Sequence, residues 1–288
     1  MRIPTGLDWW RGQPGGAEWL DRLPAIVAEC AERWSIALEP PFEPASVSLV
    51  VPAGDVVLKV NFPDEESEHE ADALAHFGDG AVELVAQAPD QRALLVERCR
   101  PGTTLWQVAD ETEAIGIAAT VLAGIWRPPR SDHAFRLLEA EALTWIDELP
   151  RDWEALGRPF ERTLLDEAVA AMCDLGPTQG DPVVLHQDFH GANVLRAERR
   201  AWLAIDPKPL VGEREFDAAS LLRDRRSELA RPGAAERIRR RLDFLSAELG
   251  LDRERMRLWG IAHALAWGIS ATKLEADMIE CARLLSGA

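Results

Sequence analysis

The stretch VVLHQDFHGANVL, followed a few residues later by WLAIDPKP, constrains this chain more than any other part of it. Three short apolar runs, at 183–185, 193–195 and 202–206, are bordered by His186, Asp188, His190, Asn193 and Asp206, all within 21 positions. Runs this short, bounded by turn residues, read as strands joined by loops. Gly191 lets the first loop turn back, so the polar groups at successive strand ends converge on one point. A hairpin that used its Asp and Asn only for turns would not need three such groups on consecutive strand ends.

That point suits a hard cation. Asn193 and Asp206 offer an amide oxygen and a carboxylate, which Mg²⁺ accepts while keeping waters and substrate phosphate oxygens. Asp188 is then free to act as a base, taking the proton of a hydroxyl that attacks a phosphoryl group. His186 is read as packing and hydrogen-bonding to hold the loop. A zinc site built from His186 and His190 is the weaker alternative, because zinc at that spacing wants both on a helix and this segment leaves a strand.

The rest of the chain divides in two. Residues 17–34 carry apolar groups at helical spacing, and EPPFEP ends that helix. SVSLVVP and DVVLKVNF then read as a hairpin turning at Ala53-Gly54, residues 64–77 as a helix, and AVELVAQ and RALLVER as two more strands turning at Pro89-Asp90. After Arg100-Pro101-Gly102 the pattern is mostly helical, apart from the short strands at 183–206. The reading is an α+β, two-lobed arrangement with residues 1–99 in one lobe, 100–288 in the other and a cleft between them.

Lys59 stands out in the first lobe. The chain has three lysines against 29 arginines, and this one lies in VVLKV among apolar neighbours. A snorkelling edge-strand lysine is the plain alternative, but phosphoryl transfer needs a cation on nucleotide phosphates, and Glu70 in HEADAL is placed to orient it. At the lobe boundary, the main chain from Glu97 to Cys99 offers donors and acceptors to a base edge.

Composition sets the outer bounds. A formal charge of −17 and a pI of about 4.8 argue against nucleic acid as a partner. Four scattered cysteines match no metal or disulfide framework. MRIPTGLDWW lacks the apolar run of a signal peptide, and the longest charge-free apolar stretch, 114–126, has 13 residues. These features fit a cytoplasmic protein that does not span a membrane.

With Lys59 in VVLKV, Glu70 in HEADAL, LLVERCRPGT, HQDFHGANVL and AIDPKPLVGEREFD in this order, the chain resembles the aminoglycoside phosphotransferases. The likeness is to the streptomycin 6-phosphotransferase and hydroxyurea phosphotransferase branch. It implies a protein-kinase-like fold with a small antiparallel-sheet lobe for the nucleotide and a larger, mainly helical lobe for catalysis and acceptor binding. It also implies MgATP in the cleft and transfer of its γ-phosphate to an antibiotic hydroxyl. By this resemblance Asp188 is the catalytic base, Asn193 and Asp206 hold Mg²⁺, Lys59 binds phosphate with Glu70 as its partner, and Asp217 braces the loop. The first hairpin lacks GxGxxG, Gln187 stands where protein kinases carry Arg, and Pro207 follows Asp206. Only 11 positions separate Asp206 from Asp217. That leaves no room for a phosphorylated activation loop, which favours a constitutively assembled small-molecule kinase.

The acceptor side is read from a helix taken as the last one. Trp259, His263 and Trp267 recur at four-residue spacing, with Glu275 and Asp277 beyond, and can form an aromatic and acidic wall for a cationic sugar such as streptomycin. Core packing of the two Trp is the competing reading. A kinase of hydroxyurea or of an endogenous amino sugar or choline-like alcohol, and a nucleotide-binding module without turnover, are the rival functions.

Overall fold

The computed structural model describes residues 2–225, 229 and 231–288. Short, nearly continuous apolar runs on either side of Gly54 produce a hairpin, β1 (Leu49–Ala53) and β2 (Val56–Val60), with Ala53 opposite Val56. Gly54 sits in the turn at φ 65°, where a side chain would be strained. A second hairpin, β3 (Leu84–Ala88) and β4 (Ala93–Glu97), reverses at Pro89–Gln91, and the four antiparallel strands lie in the order β1-β2-β4-β3.

The pleat sorts side chains between two cores. Leu58, Val60, Leu49, Val51 and Leu95 pack against α1 (Gly16–Trp34). Val57, Leu94 and Val96 join a second core that takes in Leu74 and Phe77 of α2 (Glu70–Phe77) and continues to Leu122, Leu185, Phe189 and Trp259. Lys59 shares its strand face with Val57, so alternation alone turns it toward α2. The sequence pattern places a helix over 64–77, but only Glu70–Phe77 is helical. Asp64 Oδ1 accepts the Ser67 N–H at 2.8 Å, a local bond that competes with the helix and delays its start. Glu70 is therefore the first residue of α2.

Beyond Cys99 come α3 (Glu111–Ile125), capped by Asp110, then α4 (Leu138–Ala155) and α5 (Arg162–Leu175). Strands β5 (Arg136–Leu137), β6 (Val183–Leu185) and β9 (Leu210–Gly212) form a sheet in the order β5-β9-β6. A separate hairpin pairs β7 (Val194–Arg196) with β8 (Trp202–Ala204). Helices α6 (Arg214–Ala219), α7 (Ala234–Leu249), α8 (Arg253–Gly268) and α9 (Ala276–Ser286) follow. The sequence reading does not foresee β5, β9 or the small hairpin Ile269–Ser270/Lys273–Leu274, whose strands are too short to show a period. It also takes α8 for the last helix, whereas Glu275 and Asp277 lie past that hairpin, at the start of α9. Among the described residues no helix is long and apolar enough to cross a membrane.

Candidate active site

Between the four-stranded sheet and the β7-β8 hairpin lies a cavity of about 550 Å³. Val57, Leu74, Val82, Val96, Leu195 and Ile205 line it, Lys59, Glu70 and Asp206 close one end, and the main chain from Glu97 to Gly102 forms its edge. An apolar slot with a charged end fits a flat heterocycle carrying anionic groups. The N–H groups of Glu97 and Arg98 are bonded to the carbonyls of Glu83 and Asp55, both at 2.9 Å. Cys99 is thus the strand-end residue whose N–H has no partner among the described residues. The Glu97 carboxylate is held by Arg199 at 2.8 Å, so its side chain fastens the two parts of the molecule together. Burial pushes the Cys99 thiol up to about 12, with Glu97 adding to the shift.

At the charged end, Lys59 Nζ donates to both Glu70 oxygens (2.6 and 2.7 Å) and to Asp206 Oδ1 (2.5 Å). Burial alone would favour the neutral amine, but the carboxylates of Asp206 and Glu70 more than offset it and raise the Lys59 pKa above the ordinary lysine value. Glu70 Oε2 also accepts the Asn61 amide (2.6 Å), and Asn61 Oδ1 accepts the Ser48 hydroxyl (2.7 Å). Burial lifts the Glu70 carboxyl, whereas Lys59 outweighs burial at Asp206 and lowers its pKa.

The loop after β6 supplies the other groups. Asp217 is fully buried and accepts the backbone N–H groups of His186 (3.0 Å) and Gln187 (2.8 Å) and the Trp126 indole N–H (2.9 Å). Those bonds hold Gln187 at φ 64°, a backbone conformation that side chains rarely adopt. His186 is parallel to Phe77, with ring centroids 6.3 Å apart, and its Nε2 meets the Ile205 carbonyl at 2.9 Å; burial lowers its pKa, so it is a neutral spacer between the two loops. Asp188 Oδ1 is 2.9 Å from Arg223 Nη2 and 3.5 Å from His190 Nε2. Burial raises its pKa, yet His190 and Arg223 hold the carboxyl well below the usual carboxylate range. Asn193 donates its amide nitrogen to the Asp188 carbonyl at 3.0 Å, leaving Oδ1 without a partner among the described residues. Asp206 sits in the left-handed region at φ 60°, which turns its carboxylate back toward Lys59.

The structure thus gathers Lys59, Glu70, Asp206, Asn193, Asp188, His186 and Asp217 around one cleft. The expected aromatic and acidic wall is not formed. Trp259 is fully buried, stands edge-on to Phe216 and donates to Glu213 Oε1 at 2.5 Å, so it packs the core. His263 is buried too, and its Nδ1 accepts Arg223 Nε at 3.3 Å. Trp267 is partly exposed, but Lys208 Nζ and Arg223 Cζ both stand 4.8 Å from its centroid. Glu275 is ion-paired with Lys273 on the terminal hairpin. Sequence reasoning missed Asn61, Lys208 and Arg223, although the scarcity of lysine that singled out Lys59 applied equally to Lys208.

An apolar slot ending in a cation, with a strongly acidic carboxylate on a neighbouring braced loop, is the arrangement of an enzyme that moves a phosphoryl group to an acceptor: fold and site define a phosphotransferase of the kinase-like class. The family model described as aminoglycoside/hydroxyurea antibiotic resistance kinase matches residues 40–277, and the chain belongs to that family. It is 36% identical over 275 residues to streptomycin 6-kinase of Streptomyces griseus, covering 92% of this chain and 89% of that one. It is 34% identical over 262 residues to hydroxyurea phosphotransferase of Kitasatospora aureofaciens, covering 88% and 74%. Among solved structures, an aminoglycoside phosphotransferase in ternary complex with AMP-PNP and hygromycin B matches with a TM-score of 0.59 at 16% identity, covering 91% and 98%.

Proposed function

We propose that this protein transfers the γ-phosphate of ATP to a hydroxyl of a streptomycin-like aminoglycoside and so inactivates it. The observation that carries the reading is the placement of Asp188: fixed by Arg223 and His190, with its carbonyl held by Asn193, whose own carbonyl accepts the N–H of Ile205 next to Asp206 at the Lys59 end of the slot. Residues 1–99 serve as the nucleotide lobe and 100–288 as the catalytic and acceptor lobe. The adenine edge meets the main chain at Cys99, and Lys59, held by Glu70, takes phosphate oxygens.

Asn193 Oδ1 and the Asp206 carboxylate fit Mg²⁺, since they are hard oxygen donors and one is free of other bonds. Among the described residues no group of three or more His, Cys, Asp or Glu could hold a metal ion. When bound, the ion supplies charge neutralisation on the phosphate oxygens. Asp188 orients the acceptor hydroxyl and receives its proton. His186 and Asp217 fix the loop so that this carboxylate needs no rearrangement. The acidic surface favours a cationic acceptor, and the cytoplasm, where ATP is made, is the compartment this chemistry requires.

The test is turnover by purified protein with Mg²⁺ and ATP against streptomycin, other aminoglycosides, hydroxyurea and amino sugars, with mass spectrometry of the product. One added phosphate on streptomycin supports the reading. Asp188→Asn should abolish turnover and leave nucleotide binding near normal. Turnover with a neutral metabolite alone would overturn the antibiotic assignment.

A further inference from the structure

Several tryptophan rings lie near Asp188 or its supports, and Trp259, Trp267 and Trp106 among them are not equivalent. Trp259 is fully buried, and Trp267 already has two of the protein's own cations over it. Trp106 is 49% exposed and stacks on His190 with ring centroids 5.3 Å apart and 16° between planes. His190 is the group whose Nε2 stands 3.5 Å from Asp188 Oδ1, so Trp106 lies one ring away from the carboxylate.

The ring is held there on several sides. Its Nε1 donates to Asp224 Oδ1 at 2.5 Å, and Asp224 Oδ2 accepts the Gly191 N–H at 3.0 Å. Arg225 Nη2 ties the turn that carries it, Leu105–Gln107, through the carbonyls of Leu105 (3.3 Å) and Val108 (2.5 Å). A Cβ at Gly191 would stand 2.5 Å from Trp106 Cδ1, so the indole lies flat on the loop because position 191 has no side chain. A large apolar ring this firmly fixed, yet left half in water, presents a prepared face.

We propose that Trp106 is a specificity-determining plate: a cyclitol or sugar bearing guanidinium or ammonium groups seats one charge on its exposed face while its hydroxyl meets Asp188. The inference rests on the phosphotransferase reading above. The face of an indole attracts cations, and donation of its N–H to the Asp224 carboxylate adds negative charge to the ring. Lys208 and Arg223 over Trp267 show the same contact made nearby by the protein itself.

The test is a steady-state comparison of the full chain with Trp106→Phe and Trp106→Leu. With streptomycin as acceptor, KM should rise about 3-fold for Phe and about 10- to 30-fold for Leu, the range expected of a cation on an aromatic face. The kcat and the KM for ATP should stay within about twofold of the parent. Equal effects of Phe and Leu would reduce the contact to apolar packing, and a fall in kcat with a rise in KM for ATP would reduce it to loop support; either overturns the inference. Parent turnover of streptomycin that ignores both substitutions overturns it while the reading of function stands. Parent turnover of hydroxyurea alone overturns both.

Discussion

Replacing Lys59 with Met removes one ammonium that lies between the buried carboxylate of Glu70 and the partly exposed one of Asp206. Its Nζ is 2.6 and 2.7 Å from the Glu70 oxygens and 2.5 Å from Asp206 Oδ1, and Glu70 is only 2% exposed. Without it the Asn61 amide, 2.6 Å away, is the one remaining side-chain donor to Glu70 among the described residues. Breaking a buried pair from one side costs about 3–5 kcal/mol, because the surviving charge is left without compensation. At roughly 2–3 °C per kcal/mol for a chain of this length, the melting temperature should fall by about 6–15 °C. Glu70→Gln added to Lys59→Met should restore at least half of the loss, since it removes the stranded charge and retains the shape. Burial already raises the Glu70 pKa. A group whose folded pKa is raised favours the folded state as it takes up its proton, so the deficit of the single variant should shrink as pH falls from 7 toward 5. Differential scanning fluorimetry without nucleotide reads all three. A Lys59→Met protein melting within 2 °C of the parent, or a double variant no more stable than the single, would refute the reasoning.

Asp217→Ala should destabilise the chain by about 3–5 kcal/mol in urea unfolding, because it strands the His186, Gln187 and Trp126 donors in the core. Cys99, with its thiol at about 12 rather than near 9, should carry about a thousandfold less thiolate at pH 8 than an unperturbed cysteine and resist iodoacetamide, as peptide mapping can show. Glu111 is partly buried, which raises its pKa, but Arg241 and Arg237 outweigh this and lower it. Its contribution is therefore present above the ordinary carboxylate pKa and lost as pH falls from about 5 to 3, and Glu111→Gln should flatten that part of the acid-melting curve.

The readable part of the site was the part whose geometry is local. Asp188, Asn193 and Asp206 sit at the ends of strands three residues long, and each strand shows in the sequence as a short apolar run. Lys59 was legible because lysine is scarce in this chain and this one stands among apolar strand residues. Arg223 and Asp188 are 35 positions apart, and Trp106 and Asp224 are 118 apart. No spacing rule links such partners, since only the packing of α6 and the following turn against the loop brings them together. The start of α2 was misplaced for the opposite reason: Glu-rich composition favoured a helix from residue 64, and a single Asp64–Ser67 bond prevailed locally.

The four-stranded sheet contributes to both cores, with Leu58 and Val60 in one and Val57 and Val96 in the other. The face with Val57 and Val96 belongs to the same apolar mass as Leu185, Phe189 and Leu203, which border the catalytic loops. Heat should therefore melt the two parts together, because the sheet face that carries Val57 and Val96 is covered only while both are folded. A fragment ending near Cys99 would bare that face to water and aggregate.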